Sequence, residues 1–311
     1  PKNKYGKDIS ARFVAIKNPA KNYFNCMSNL SKFAQTLIMK KPIYLVPCDF
    51  SPIFFNALRL ALDLAEYNKG SVVVVHIVSK KSEKSEAEQK MKKVVANLKE
   101  AERSLVETRV LHGDLYDDLA KAAEVLDAAL IVMSTHGAKG LQKIRGSHAL
   151  RVVDSSSVPF MITQGTKHVD KMKQILMTFC EEKESLQVAQ SAALIAKQFN
   201  STIHLVGYLD KNEQSRAKVK SHHKILYKFF TDQGVHVESH NIESKEDYEK
   251  SLFNYAKEVD ADLFAATLFN TTIISGKNSF LQSLLENKDD IPVLTVNAEE
   301  LGVSSVTSVM M

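Results

Sequence analysis

Residues 130–162 read LIVMSTHGAKGLQKIRGSHALRVVDSSSVPFMI. Leu130 to Met133 form an apolar run too short for a helix and suited to a buried strand. A polar turn follows, from Ser134 through Thr135, His136 and Gly137 to Gly140. Gly146 and Ser147 open a helical pattern, with Ser147 as N-cap and Leu150, Val152 and Val153 as apolar contacts. Val158 to Ile162 closes the unit as a second short strand. A strand that passes through a glycine loop into a helix start is suited to hold phosphate. Backbone N–H groups are unpaired there, the helix dipole favours an anion, and glycine lets a ligand come close. The same residues can also serve as plain turn and capping chemistry.

This segment resembles the signature region of the universal stress protein (UspA) family. Its nucleotide-binding members carry Gly, two residues, Gly, nine residues, then Gly-Ser or Gly-Thr. Here Gly146-Ser147 matches the last pair and Gly137 the second glycine, with a spacer of eight residues, and Ser134 stands where the first glycine falls. Taking Gly137 and Gly140 as the pair keeps both glycines and leaves a spacer of five. Thr135 and His136 match a common family choice in this loop.

Upstream, Pro42 to Cys48 reads as a strand ending at Asp49, and Ser51-Pro52 as N-cap and N1 of a helix with Phe55, Leu58, Leu62 and Ala65 on its apolar face. Gly70 follows the end of that helix. Ser71 to Val78 (SVVVVHIV) is almost continuously β-branched, as a parallel strand covered on both faces requires. Glu83 to Arg103 reads as one long charged helix with a stripe at Met91, Val94, Val95 and Leu98. Val106 to Leu111 is a strand and Tyr116 to Leu126 a helix. Alternating strands and helices of this kind give an open doubly wound sheet. The resemblance adds the strand order 3-2-1-4-5.

Downstream of a polar linker, Gln164 to Lys171, the pattern repeats. Lys173 to Phe179, Ser201 to Tyr208, Val235 to Asn241, Asp262 to Thr267 and Pro292 to Val296 read as strands. Leu186 to Phe199, Arg216 to Asp232 and Asp247 to Val259 read as helices. Pro292 repeats Pro159 at an offset of 133, and aligning Ile175 with Ile43 gives 132. The expected fold class is α/β: two tandem doubly wound open parallel sheets forming an internal pseudo-dimer. Residues 42–165 make the first domain and 171–298 the second, flanked by an N-terminal extension (1–41) and a C-terminal tail (299–311). Within the extension, Met27, Leu30, Phe33, Leu37 and Ile38 fall near helical spacing and suit an amphipathic helix packed on the body or a partner, with a membrane-surface helix as the alternative that the flanking Lys32, Lys40 and Lys41 allow.

The 311 residues carry 44% hydrophobic and 25% charged side chains, a soluble globular composition. A net charge of +5 spread along the chain gives little support to nucleic-acid binding, and no apolar run is long enough for a membrane span. Three cysteines, Cys26, Cys48 and Cys180, form neither a metal spacing nor an even disulfide set, and a reducing cytoplasm is the expected location. His222 and His223 point in different directions on a helix, and His236 and His240 share a strand face without a third ligand.

In an open α/β sheet ligands bind beyond the carboxyl ends of the strands where their order reverses. The resemblance implies an acidic contact to the nucleoside from Asp49, with a capping role for Asp49 as the alternative. It also implies a phosphate cradle at Ser134, Gly137, Gly146 and Ser147. His136 is ligand-facing or solvent-exposed, Val78 lies with Ile77 on the adenine side, and Gly113 falls in a turn beside the ligand. The second repeat carries Glu181 near the place of Asp49, a lone Gly276, and Lys277 near a helix start, and is expected not to bind. The implied ligand is ATP or AMP, with Mg²⁺ or Mn²⁺ accompanying it, and the implied role is regulation. The alternative is a nucleotide-independent module for an unknown protein partner. ATP hydrolysis finds no candidate general base. Self-association as a homodimer is expected through edge pairing of the closing strands, Phe160 to Thr163 and Val293 to Val296, unless the two repeats consume that edge.

Overall fold

A computed structural model describes residues 41–135, 146–165, 172–243, 247–269 and 277–298. The sequence readings at 1–40, His136, Gly137, Gly140, Gly276 and the tail from Glu299 lie outside the described residues. The first half runs β1 (Ile43–Pro47), α1 (Phe54–Asn68), β2 (Ser71–Val78), α2 (Lys84–Ala96), α3 (Glu100–Arg103), β3 (Val106–His112), α4 (Leu115–Val125), β4 (Leu130–Ser134), α5 (Gly146–Asp154) and β5 (Phe160–Thr163). The second runs β6 (Gln174–Phe179), α6 (Ala189–Phe199), β7 (Thr202–Tyr208), α7 (Glu213–Asp232), β8 (His236–Ile242), α8 (Tyr248–Glu258), β9 (Leu263–Leu268), α9 (Lys277–Leu285) and β10 (Val293–Asn297).

These strands make one sheet in the order β3-β2-β1-β4-β5-β10-β9-β6-β7-β8. Each half has the order 3-2-1-4-5 expected from the resemblance, and the halves meet where β10 pairs antiparallel with β5. The fifth-strand edge expected to drive self-association is therefore closed within the chain. Helices cover both faces, so the strands inside the sheet are apolar on both sides while the edge strands β3 and β8 keep exposed polar residues, and two cores form, each running through both halves. Tyr44 and Val46 face one core with Ile175 and Met177, while Leu45 faces the other with Leu176.

That parity corrects the repeat alignment. Tyr44 pairs with Leu130 and Ile175 with Leu263, so Ile175 is the counterpart of Tyr44, not of Ile43. A slip of one residue would turn every side chain of the strand to the opposite face, and burial forbids it. Cys180, not Glu181, therefore stands in the place of Asp49.

Several helix boundaries differ from the sequence reading. The Asp49 carboxylate accepts from the Ser51 N–H (2.9 Å) and Phe54 N–H bonds to the Ser51 carbonyl (3.2 Å), so Ser51-Pro52 makes a turn and α1 starts at Phe54. Phe55 is 43% exposed, while Leu58, Leu62 and Ala65 are buried as expected. The long helix is broken into a 3₁₀ turn, α2 and α3. The break holds because Lys99 is extended and its N–H bonds to the Glu102 carboxylate (3.1 Å), which Arg59 ties to α1 at 2.7 Å. Likewise Leu186 belongs to a 3₁₀ turn and α6 begins at Ala189. After α1 the left-handed residue is Lys69 (φ 53°); Gly70 is needed because a Cβ there would lie 2.4 Å from the Pro42 carbonyl oxygen.

Leu294 is fully buried opposite Met161 in the seam between the halves. Leu294→Ala is expected to cost about 2–5 kcal/mol, read as a lower urea midpoint with an unchanged native far-UV spectrum. A second prediction concerns pH. His204 is 3% exposed, with Nδ1 2.9 Å from the Tyr255 hydroxyl and Nε2 2.8 Å from Gln174 Oε1. Burial pushes its pKa down; the Glu238 carboxylate at 3.6 Å opposes this and His240 adds to it. The unfolded chain binds the proton more readily, so stability conferred by neutral His204 is lost as pH falls below the ordinary imidazole value of about 6.5. The urea midpoint should drop between neutral pH and pH 5, and His204→Gln should flatten that drop.

Candidate cleft at the carboxyl ends of β1 and β4

β1 is hydrogen-bonded to β2 on one side and β4 on the other, so the connections leaving β1 and β4 diverge to opposite faces. Between them opens a cleft of about 440 Å³. Asp49, Ser51, His76, Ser79, Tyr116 and Ser134 contribute its polar lining, and Ile53, Phe54, Leu115, Leu119, Met133 and Val152 are among its apolar residues. Asp49 and Ser134 are thus brought together as the switch-point argument requires.

One carboxylate oxygen of Asp49 holds the Ser51 turn, so Asp49 performs the local service that was its alternative reading while standing exposed on the cleft. Phe50, next to it, adopts φ 59°, a left-handed conformation that is an outlier for a bulky residue and costs on the order of 1–3 kcal/mol. Its ring lies 4.4 Å from the His76 ring, with the Lys90 ammonium 5.8 Å from its centroid. Cys48 is buried below; burial pushes its thiol up to about 12, with a bond to the Phe50 backbone opposing and the Asp49 charge adding. Across the cleft the Arg151 guanidinium sits 4.5 Å over the Tyr116 ring and links α4 to α5.

Ser134 (8% exposed) ends β4 and Thr135 (2%) follows it, and their hydroxyls, with that of Ser51, are sealed from water without a hydrogen-bond partner. Orphaned buried hydroxyls are uncommon and concentrate here at the floor and edge of one cleft. Gly146 opens α5, and the backbone is already helical there, so Ser147 lies inside the first turn rather than at the cap. His136 and Gly137 lie outside the described residues.

Two expected site residues do not line the cleft. Val78 is buried, and its carbonyl accepts from the Gly113 N–H at 3.1 Å. A Cβ at Gly113 would strike the Asp118 carboxylate, which accepts from Asp114 N–H, while Asp114 caps α4 through Tyr116 and Asp117. Gly113 thus serves the turn. Sequence reasoning missed Cys48, His76 and Tyr116. The signal for His76 was present, since it is the one ionisable residue in SVVVVHIV.

In the second half, among the described residues, the chain's own side chains occupy part of the corresponding place. Matching strand faces put Cys180 at the position of Asp49, Gly207 at that of His76 and Thr267 at that of Ser134. The Phe179 ring packs where a Cβ on Gly207 would be, at 2.7 Å. Thr267 donates to the Ser185 carbonyl (3.3 Å), and the Ser185 hydroxyl bonds to the Glu182 carbonyl (2.6 Å). His222 reaches the Cys180 carbonyl at 2.8 Å and His223 the Ser239 hydroxyl at 2.7 Å, so the two histidines serve separate partners. Among the described residues, no group of three His, Cys, Asp or Glu could hold a metal ion, and no helix is long and apolar enough to cross a membrane.

The sequence model of the universal stress protein family matches residues 43–164. Residues 43–164 belong to the universal stress protein family. No protein of curated function matches the chain. A universal stress protein from Archaeoglobus fulgidus DSM 4304 superposes with a TM-score of 0.64 at 18% identity, covering 83% of this chain and 98% of that one. A putative universal stress protein from Pseudomonas aeruginosa UCBPP-PA14 gives 0.53 at 10% identity, covering 88% and 98%. These likenesses extend the fold over both halves. A universal stress protein solved in complex with cAMP covers 41% of this chain and 98% of its own, with a TM-score of 0.31 and 16% identity.

The raised Cys48 thiol is protonated near neutral pH, and its burial blocks attack. Iodoacetamide at pH 8 should leave Cys48 unmodified in the native protein and label it in urea, as mapped by peptide mass spectrometry. Native labelling at Cys48 would contradict the packing beneath the cleft.

Proposed function

We propose that the first-half cleft binds an adenine nucleotide, ATP or AMP, and that the protein acts as a stress-response regulator rather than an enzyme. The observation that carries the reading is the group of unpaired buried hydroxyls, Ser51 and Ser134 on the cleft and Thr135 beside it, gathered with the Asp49 carboxylate at the point where strand order reverses. The apolar wall of Ile53, Phe54 and Leu115 suits a base, and the Asp49 carboxylate suits the hydroxyls of a ribose. The phosphates would run toward the helix start at Gly146 and Ser147, with Mg²⁺ or Mn²⁺ arriving on them. A cytoplasmic location belongs to the same reading. With the fifth strands paired inside one chain, a homodimer would need another surface.

The second reading is a nucleotide-independent interaction module for a protein partner, favoured by the Asp49–Ser51 and Gly113–Asp118 contacts, which give two family positions local structural work. Titration calorimetry with AMP and with ATP–Mg²⁺ separates the two. Nucleotide binding is expected in the wild type, weakened about tenfold to a hundredfold in Asp49→Ala through loss of a charge-assisted hydrogen bond. No heat from the wild type at millimolar nucleotide would favour the interaction module.

A further inference from the structure

The imidazole of His76 is set on the cleft wall by two contacts. Its Nδ1 lies 2.6 Å from the Cys48 carbonyl oxygen, and its ring lies 4.4 Å from that of Phe50. A carbonyl oxygen only accepts, so Nδ1 carries the proton, and in the neutral ring Nε2 is then a bare acceptor. Among the described residues Nε2 makes no hydrogen bond, and it is not one of the sealed, unpaired polar atoms, so it stays reachable on a half-buried residue. The neighbouring Asp49 carboxylate is also an acceptor, and no lysine or arginine lines the described part of the cleft. The wall built by β1 and β2 therefore asks for hydrogen-bond donors rather than for phosphate. In the second half Gly207 stands where His76 stands, so no imidazole is offered at that place.

We propose that His76, locked in the Nδ1–H tautomer by the Cys48 carbonyl, is a specificity-determining residue that accepts through Nε2 a hydrogen bond from a donor on the nucleoside part of the ligand. This rests on the nucleotide reading. The donor is either the exocyclic amine of the base or a ribose hydroxyl.

The test is calorimetry at pH 8 with AMP, IMP, 2′-deoxy-AMP and 3′-deoxy-AMP on the wild type and on His76→Asn. An asparagine amide can replace Nδ1–H at the Cys48 carbonyl but offers nothing in place of Nε2. The variant should melt close to the wild type and bind AMP roughly three- to tenfold more weakly, the worth of one neutral hydrogen bond. That penalty should vanish for the one analogue lacking the donor, which identifies it as amine or hydroxyl. In parallel, ¹⁵N-histidine spectra of the wild type should report an Nδ1–H ring whose Nε2 resonance shifts on adding AMP. Equal AMP binding by wild type and His76→Asn, or an Nε2–H tautomer in the wild type, overturns this inference and leaves the nucleotide reading intact. Absence of AMP binding by the wild type overturns both.

Discussion

The hydrogen bonding of β1 to β2 on one side and to β4 on the other is the constraint from which the site follows. Parallel strands need crossovers, crossovers from a central strand leave on opposite faces, and the space between them cannot be filled by either. The cleft is thus a consequence of topology, present before any residue is chosen for binding. Choice enters with the side chains at its mouth: Asp49, Ser51, His76 and Ser134 in the first half.

The same topology occurs in mirror order in the second half, and there, among the described residues, the chain's own side chains occupy part of the corresponding place. Gly207 lets the Phe179 ring down onto β7, the Thr267 hydroxyl donates to the Ser185 carbonyl, and the Ser185 hydroxyl donates to the Glu182 carbonyl. A hydroxyl bonded within the chain has no need of a ligand; the hydroxyls of Ser51, Ser134 and Thr135 are not so satisfied. Among the described residues, the two switch points of one fold thus differ in how far their polar groups are satisfied within the chain. The antiparallel seam of β5 and β10 holds the two halves in one sheet and uses the edges by which separate domains could have paired.

Much of the fold was legible because burial on both faces leaves a strong mark. SVVVVHIV and LIVM read as strands at once, and the repeat announced itself through Pro159 and Pro292. The misreadings share a cause. The Ser51-Pro52 cap and the unbroken Glu83–Arg103 helix were inferred from local pattern, whereas the Asp49 turn and the Arg59–Glu102 tie depend on groups that meet only after folding. The alignment of Ile175 with Ile43 matched residue types and missed parity, which is decided by which face each strand buries. Of the residues proposed for the site, Asp49 and Ser134 follow from topology and line the cleft, whereas Val78, which ends β2, and Gly113, in the turn after β3, were placed by family position and do not line it. His76 was hidden because a lone histidine in an apolar strand reads first as core.

The most direct measurement is the stoichiometry of nucleotide carried by freshly purified protein, released by denaturation and quantified by chromatography with mass spectrometry. The account predicts one adenine nucleotide per chain, lost in an Asp49→Ala, Gly146→Val double variant. Two per chain would contradict the expectation that the second half does not bind, and a protein that is empty and stays empty in millimolar ATP–Mg²⁺ would contradict the binding reading itself.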